Sequence, residues 1–397
     1  MGRGARGRYE QGVWNRDFTS PRPGRRGEYK AFVPDEIADY EPRLSGSTSA
    51  LVTAAEIHAR DLNQRDPSPT SFEGLARQLL RSEALASSWI EGLAISHRKL
   101  AEAAVSEHGL HRAKEVLANM HAMERAVEIA STDQPVIVED IKDIHRELAL
   151  VPPLTRIAGQ FRQEQGWIGG ASPVEAEYVP PPWREVERLM DDLCAFINRD
   201  DLPAVAQAAI VHAQFETVHP FGDGNGRVGR ALIHVVLRRR GVAPNYVPPV
   251  SLVLGANRDA YIAGLRNYER NEVDSWIAQF ARATRAAAQE AVRFSEQINE
   301  LQHEWLGRFD PPLRKDAIAR EIISDLPAFP YITVKIIQDR TGKSNVAALN
   351  GLDRLVDAGI LTRHHNRRKG DSWEAKELFT LLNEFEASVK DPAATPS

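Results

Sequence analysis

Twelve residues near the middle of the chain constrain its structure and chemistry more than any others. They read His219-Pro220-Phe221-Gly222-Asp223-Gly224-Asn225-Gly226-Arg227-Val228-Gly229-Arg230. Apolar residues at helical spacing precede this stretch in 203–218, which indicates an amphipathic helix, and a second periodic run follows it through Val236. Because the proline and the glycines interrupt the helical pattern, the sequence predicts a helix, a glycine-rich loop and a second helix.

The predicted loop is suited to binding a phosphate chain. The first turn of a helix carries unpaired backbone N–H groups and the positive end of the helix dipole, and both attract anions. Arg227 and Arg230 are three residues apart, so they share a helix face and can clamp phosphate oxygens. Asp223 suits Mg²⁺, which binds through one or two carboxylates plus substrate phosphates. His219 can accept a proton near neutral pH.

Two common glycine-rich nucleotide motifs do not fit this stretch. Gly224-x-Gly226-x-x-Gly229 matches the dinucleotide-binding fingerprint, but that motif follows a strand, whereas a predicted helix comes before this one. The sequence G-x-x-x-x-G-K-[ST] does not occur in the chain, which argues against a P-loop.

The same twelve residues resemble the Fic motif, H-x-F-x-[DE]-G-N-G-R-x-x-R, and match it at every fixed position. Fic proteins are all-helical enzymes, most of which transfer AMP from ATP to a hydroxyl side chain of a target protein. The resemblance therefore implies ATP as substrate and Mg²⁺ as cofactor. It gives His219 the role of base, Asp223 that of the Mg²⁺ ligand, Gly224, Asn225 and Gly226 that of an anion hole, and Arg227 and Arg230 that of phosphate clamps.

A second stretch, Ser87-Ser88-Trp89-Ile90-Glu91-Gly92, resembles the inhibitory motif of Fic proteins, [ST]-x-x-x-E-[GN], with Ser87, Glu91 and Gly92 at its fixed positions. In that family the glutamate pairs with the second arginine of the Fic motif, which here is Arg230. A carboxylate on this arginine would remove a phosphate clamp and repel a polyphosphate. The alternative is an ordinary helix C-terminus, because a helical run from Leu75 leads into this stretch.

Residues 158–170 combine glycines with β-branched and aromatic residues, which predicts a short hairpin. The stretch resembles the Fic flap, which pairs with an extended segment of the target protein by β-augmentation. A surface hairpin without function is the alternative. Within the flap, the residues assigned to the nucleotide are Trp167, Ile168, Gly169 and Gly170.

Asn257 and Tyr261 resemble the nucleoside-contacting Asn-x-x-x-Tyr region of related Fic proteins, although Tyr261 could also serve only in packing.

Composition limits the remaining function classes. The 397 residues suffice for two or three domains, and a net charge of −5 is no signature of nucleic-acid binding. The single cysteine, Cys194, excludes an intrachain disulfide framework and fits a reducing compartment. The sequence shows no signal peptide and no apolar run of membrane-spanning length, so we expect a cytoplasmic protein without membrane contact.

The predicted fold is all-α: a Fic-like helical core with a short β-hairpin flap, followed by a small winged helix-turn-helix domain. In the latter, helices at 317–324, 334–341 and 344–358 precede a strand and a basic turn, and Ser344 is the predicted N-cap of the third helix. That helix carries one base, Arg354, which favours protein interaction or dimerisation over sequence-specific DNA binding. The predicted segments are a disordered basic tail at 1–28, a helical region with the inhibitory motif at 29–100, the catalytic core at 101–308, the winged helix domain at 312–387 and a disordered tail at 388–397.

Together these patterns predict an ATP-dependent protein adenylyltransferase that also modifies itself and is inhibited by Glu91. Two alternatives stay open. One is a Fic enzyme that uses another nucleotide or removes AMP, and the other is a DNA-binding regulator whose Fic region senses nucleotide. The sequence does not specify the target protein, the modified residue, what releases the inhibitory helix or whether the protein is a homodimer.

Overall fold

A computed structural model of the chain describes residues 7–15, 26–64, 72–105, 111–365 and 370–390. The chain forms two compact units, each built from three separate stretches. Unit 1 comprises Met1–Ile57, His121–Pro244 and Asn257–Arg285, and unit 2 comprises His58–Met120, Asn245–Ala256 and Ala286–Ser397. The sequence predicts a linear succession of domains, whereas these units are discontinuous because the chain enters unit 2 three times.

The described chain is mostly helical, as predicted. The helix at 334–341 has the predicted bounds. The sequence also predicts a helix at 138–148 and a long Ala-rich helix over much of 270–308. The first has these bounds, and the second is one continuous helix. The α-helices are α1 (Gly46–Gln64), α2 (Phe72–Ile90), α3 (His97–Ala104), α4 (His111–Ala130), α5 (Val138–Leu148), α6 (Val186–Ile197), α7 (Ala204–Val218), α8 (Asn225–Arg239), α9 (Val250–Ala256), α10 (Arg258–Glu269), α11 (Val273–Gly307), α12 (Ile318–Asp325), α13 (Val334–Thr341), α14 (Asn345–Asp357) and α15 (Lys376–Lys390).

The N-terminal segment of unit 1 contains an antiparallel β-hairpin. Strand β1 (Gly7–Trp14) pairs along its whole length with β2 (Gly27–Pro34), and Tyr9 lies opposite Phe32. The prediction of a disordered tail at 1–28 is therefore wrong for residues 7–14 and 27–28, while 1–6 and 16–25 lie outside the described residues. The predicted disordered tail at 388–397 is wrong for 388–390, which belong to α15, and 391–397 lie outside the described residues. The glycine and arginine residues of β1 do not produce the sequence pattern of a strand. The strand is stabilised by pairing with β2, whose last four residues are buried.

Helix α7 lies at the centre of unit 1. All its residues except Glu216 are buried, so the prediction of an amphipathic helix is wrong. A helix that is buried on every side, with its polar side chains hydrogen-bonded, is typical of the core of a larger protein. Its polar residues are accommodated by hydrogen bonds: Gln207 Nε2 donates to the carbonyl of Phe196 at 2.8 Å, and Gln214 Nε2 donates to that of Asp35 at 3.0 Å.

The C-terminal part of unit 2 combines helices α12 to α14 with a three-stranded antiparallel sheet. Strands β3 (Tyr331–Ile332), β4 (Thr362–His364) and β5 (Ser372–Glu374) lie in the order β3-β5-β4. The three predicted helices and the strand after them are present, and Ser344 caps α14 by accepting a hydrogen bond from the backbone of Ala347 at 3.3 Å. The assignment as a winged helix stays a prediction. The predicted basic residues Arg367, Arg368 and Lys369 lie outside the described residues.

Asp192 on α6 joins the segment after β2 to the helical core of unit 1. Its carboxylate accepts hydrogen bonds from the backbone of Ile37 at 2.7 Å and of Ala38 at 2.9 Å. We expect Asp192→Ala to lower the free energy of unfolding by about 1–3 kcal/mol, because two N–H groups lose a charged acceptor. Urea denaturation followed by tryptophan fluorescence measures this loss. The exposed neighbour Asp191 provides the control, and an equal loss in Asp191→Ala would contradict the assignment.

Candidate active site

The twelve-residue motif forms a tight connection between α7 and α8, as predicted. Helix α7 ends at His219, which adopts the left-handed conformation with φ 50° and ψ 60°, and its N–H donates to the carbonyl of Phe215 at 2.8 Å. Helix α8 begins at Asn225, after Gly224 at φ 84°. Gly224 also lies against α5, where an added Cβ would come within 2.8 Å of Leu148. Both the conformation and this close approach require glycine.

The ring of His219 is oriented by the end of α7. Its Nδ1 lies 3.3 Å from the carbonyl oxygen of Glu216, and the side chain is 22% exposed. A carbonyl can only accept, so Nδ1 carries the proton, and Nε2 then holds the lone pair of the neutral imidazole. The histidine thus has the tautomer that a base acting through Nε2 requires.

Asn225 closes the loop on itself. Its Oδ1 accepts from the backbone N–H of Phe221 at 2.8 Å, and its Nδ2 donates to the carbonyl of the same residue at 2.8 Å. Since both ends of the amide bind the loop backbone, the side chain serves the shape of the loop. The amide nitrogen carries a second N–H, so the predicted part of Asn225 in an anion hole stays a prediction beside that of the backbone N–H groups in the first turn of α8.

The three charged residues of the motif differ strongly in exposure. The side chain of Asp223 is 63% exposed and lies 3.7 Å from Nη2 of Arg227, which is 7% exposed. Arg230 is 1% exposed. No group of three or more metal-ligating side chains occurs in the described part of the chain. A single accessible carboxylate fits an ion such as Mg²⁺ that takes its other ligands from substrate phosphates and water.

His145 on α5 supports the loop, and sequence analysis missed it. The buried Nδ1 accepts from the backbone N–H of Gly159 at 2.9 Å, so Nε2 carries the proton and donates to the carbonyl of Asp223 at 3.1 Å. The ring stacks on Phe221 with centroids 3.9 Å apart and planes within 4°. One imidazole therefore fixes two loops, and nothing in its sequence position signals this because the partners are distant along the chain.

Arg162 is a second supporting residue without an assigned role in the sequence analysis. Its Nε donates to the carbonyl of His219 at 2.9 Å, and its Nη2 donates to that of Pro181 at 2.6 Å. Burial lowers the pKa of this guanidinium to about 10, which still leaves it charged at neutral pH. The arginine thus holds the segment after residue 161 against the end of α7.

The predicted hairpin within 158–170 is wrong in its pairing. Ile168 forms an isolated antiparallel bridge with Tyr178, and Phe161 forms another with Phe221. The strand partners therefore come from outside the predicted hairpin. Trp167 and Ile168 are partly exposed, and Trp167 packs edge-on against Trp14 with centroids 5.3 Å apart. Gly169 and Gly170 follow with φ of 74° and 68°.

Asn257 and Tyr261 lie at the start of α10. Asn257 is the N-cap and accepts a hydrogen bond from the backbone of Ala260 at 3.0 Å. Tyr261 is buried, and its hydroxyl lies 2.8 Å from Nε2 of His212. This geometry fits the packing alternative for Tyr261, and contact with a nucleoside stays a prediction.

The predicted inhibitory motif forms the end of α2 in unit 2. Ser87 and Ser88 are buried, and the side chain of Asn119 on α4 donates to Ser88 Oγ at 3.0 Å and to the carbonyl of Ala84 at 2.8 Å. The helix ends at Ile90, so Glu91 is the first residue after it and Gly92 follows with φ 82°. Asn119 therefore fixes the last turn before Glu91.

Family models match two stretches of the chain. Residues 135–237 match the model of the Fic/DOC family, and residues 51–128 match that of the Fic/DOC family N-terminal region. The motif from His219 to Arg230 lies within the first of these stretches. No helix in the described ranges combines the length and the apolarity needed to cross a membrane.

Curated relatives that the chain matches are named protein adenylyltransferases. The chain is 28% identical over 155 residues to protein adenylyltransferase fic-1 of Caenorhabditis elegans, which covers 39% of the chain and 28% of that protein. It is 32% identical over 117 residues to protein adenylyltransferase Fic of Drosophila melanogaster, which covers 28% of the chain and 22% of that protein. The chain thus spans about a quarter of the length of these relatives.

Solved structures of Fic proteins share the fold. A Fic family protein from Desulfovibrio desulfuricans G20 superposes with a TM-score of 0.53 at 20% identity, covering 85% of this chain and 98% of that one. A Fic domain containing signaling protein from Bacteroides thetaiotaomicron gives a TM-score of 0.51 at 17% identity, covering 62% of this chain and 98% of that one.

The contacts between His145 and the loop can be tested through the pKa of this histidine. Burial, aided by the charge of Arg227, lowers the pKa of His145 from its usual 6.5 to about 4. Below pH 6.5 the unfolded chain takes up a proton that the folded protein does not bind. Stability is therefore lost as the pH falls from 6.5 to 4, by at most about 1.4 kcal/mol per pH unit from this residue.

We expect His145→Phe, which keeps the ring stack, to be about 1–3 kcal/mol less stable at pH 7, because two hydrogen bonds are lost. Its stability should also depend less on pH between 7 and 5. Denaturation at several pH values measures both effects, and His121→Phe on the exposed face of α4 is the control. An unchanged pH slope in His145→Phe would show that this histidine is not held neutral.

Proposed function

We propose that the protein is an ATP-dependent adenylyltransferase that transfers AMP to a Tyr, Thr or Ser hydroxyl of a target protein and of itself. One observation carries the proposal: a histidine of defined tautomer ends one helix, and the next helix begins six residues later beside an arginine and an exposed carboxylate. This arrangement serves phosphoryl and nucleotidyl transfer, which depend mainly on positioning and charge neutralisation. The names of the relatives support the same reaction.

In the proposed reaction, Nε2 of His219 accepts the proton of the target hydroxyl as its oxygen attacks the α-phosphorus of ATP. A bond forms between that oxygen and the α-phosphorus. The bond from the α-phosphorus to the oxygen that bridges to the β-phosphate breaks, and pyrophosphate leaves with the electron pair. The first-turn N–H groups of α8 and the guanidinium of Arg227 stabilise the negative charge. Asp223 would hold Mg²⁺, which neutralises phosphate charge when it is bound.

The target segment is proposed to lie along the flap. Ile168 pairs with Tyr178 on one side, and the partly exposed side chains of Trp167 and Ile168 offer apolar contacts. The flap is held next to His219 by Arg162, whose Nε binds the carbonyl of the histidine at 2.9 Å. An extended chain added by β-augmentation would thus bring its hydroxyl close to the base.

Inhibition by Glu91 is proposed to act on Arg230. The guanidinium of Arg230 is 1% exposed, so a phosphate oxygen can reach it only after the groups that cover it have moved. A carboxylate that binds this arginine would keep it covered and would repel the γ-phosphate. Release of Glu91 would then restore the second phosphate clamp.

The C-terminal region is proposed to bind protein rather than DNA. Arg363, in the strand before the predicted wing, donates through Nε to Asp371 at 2.8 Å and lies 3.9 Å from Asp353. Two carboxylates thus reduce the positive charge that this arginine could offer to phosphates. Binding to DNA would require a surplus of positive charge at this place.

We expect His219→Ala to lower AMP transfer by at least about 100-fold, because the attacking hydroxyl loses its base. The substitution is best made in a Glu91→Gly background, with labelled ATP and Mg²⁺ and with detection of self-labelling by mass spectrometry. Calorimetry should show that the His219→Ala protein still binds ATP, which separates loss of the base from loss of the fold. Labelling at an unchanged rate would exclude His219 as the base.

We expect Glu91→Gly to raise AMP transfer, and Glu91→Gln to raise it as well, because both remove the carboxylate that is proposed to bind Arg230. The two variants differ in backbone freedom, so an increase in both assigns the inhibition to the carboxylate. Equal transfer by the wild-type protein and both variants would rule out this inhibition. The same assay with each labelled nucleoside triphosphate, and with target already carrying AMP, distinguishes the alternative nucleotide and the reverse reaction.

A further inference from the structure

We infer that unit 2 contains a binding site for a small amphipathic anion, a carboxylate on an aromatic body, beside α2, the helix that ends just before Glu91. The site is a cavity of about 440 Å³. This volume and a mainly apolar wall are typical of small-molecule sites. The apolar wall consists of Leu85, Ala86, Trp89, Ala94, Ile95 and Leu252.

The charges around the cavity favour an anion. Lys99 on α3 and Arg112 on α4 line it together with Glu386 on α15. Nε2 of His97 lies 2.7 Å from Oε1 of Glu386, and the two cations outnumber this one carboxylate around the cavity. Lys99 and Arg112 are exposed, and neither forms an ion pair with an acid in the described part of the chain. Two cations without acidic partners next to an apolar wall suit a ligand with one anionic and one apolar end.

Trp89 provides the surface that the aromatic body of the ligand would contact. This side chain is 41% exposed although it belongs to a helix that is otherwise mostly buried. Part of its ring rests on α9, where an added Cβ on Gly255 would lie 3.3 Å from two ring atoms. The exposed part of the indole therefore provides an apolar contact surface inside a cavity that also contains a cationic edge.

The position of the cavity implies an effect on α2. A ligand that contacts Leu85, Ala86 and Trp89 together with Lys99 and Arg112 connects α2 to α3 and α4. A ligand stabilises the conformation to which it binds, and the cavity belongs to the conformation described here. Occupancy therefore holds the last turn of α2 in place. Its effect on catalysis rests on the proposed function: if Glu91 inhibits, the ligand should strengthen the inhibition.

The probe for this site is 2-naphthoate, with the neutral 2-naphthamide as its matched control, and calorimetry on the full chain gives both dissociation constants. We expect naphthoate to bind about tenfold or more tightly than the amide, and Arg112→Gln to weaken naphthoate about tenfold. Lys114→Gln is the control variant, because Lys114 is exposed on the same helix but does not line the cavity. Ala94→Phe, at another exposed position, should block binding by filling the cavity.

Three outcomes would overturn the inference: no saturable binding of naphthoate, equal affinity for the amide, or equal loss in Arg112→Gln and Lys114→Gln. These outcomes are independent of catalysis. If the Glu91→Gly protein transfers no AMP, the proposed function fails while the binding result still decides the inference. If transfer is observed and naphthoate does not bind, only the inference fails.

Discussion

The close packing of α7 against α8 is the contact on which the rest of the site depends. At Gly229 an added Cβ would lie 2.4 Å from a carboxylate oxygen of Glu216 and 2.9 Å from the ring of Phe215. Only glycine permits this approach, and the approach sets the distance between the helix end that carries His219 and the helix start that can bind an anion. The glycine that mimics the third residue of a dinucleotide fingerprint therefore serves helix–helix packing.

Electrostatics in the centre of unit 1 favour an anionic ligand. Burial lowers the pKa of His145 to about 4 and that of His212 to about 3, and the charges of Arg227 and Arg230 respectively act in the same direction. Both imidazoles are consequently neutral at physiological pH and add no charge to the arginines. The cationic side chains of the motif are thus Arg227 and Arg230, whose guanidinium groups match phosphate geometry.

Local patterns predicted much of the fold, and distant contacts account for the rest. The helices at 138–148 and 334–341, and the cap at Ser344, follow from periodicity and capping chemistry. The roles of His145 and Arg162 could not be predicted, because their partners lie 78 and 57 residues away along the chain. Helix α9 was not predicted, for a different reason. It is seven residues long, which is too short for a periodic signal.

The roles assigned to the residues of the candidate site stay predictions, while the structure shows which of these residues also support the loop. His219, Asp223 and the arginines were assigned by charge and spacing, and the loop places them together. Asn225 was assigned to the anion as well, whereas both ends of its amide bind the backbone of Phe221. A side chain amide looks the same in a sequence whether it binds a ligand or a loop.

The need for loop support explains why the motif is long compared with the chemistry proposed for it. A base and a phosphate clamp need few side chains, but the loop between them holds two left-handed residues, His219 and Gly224. Such conformations persist only when the surroundings fix them, since a non-glycine residue there costs of order 1–3 kcal/mol. Phe221, stacked on His145, and Asn225, bonded to the loop backbone, supply that support. About half of the motif therefore maintains the geometry in which the remaining residues can act.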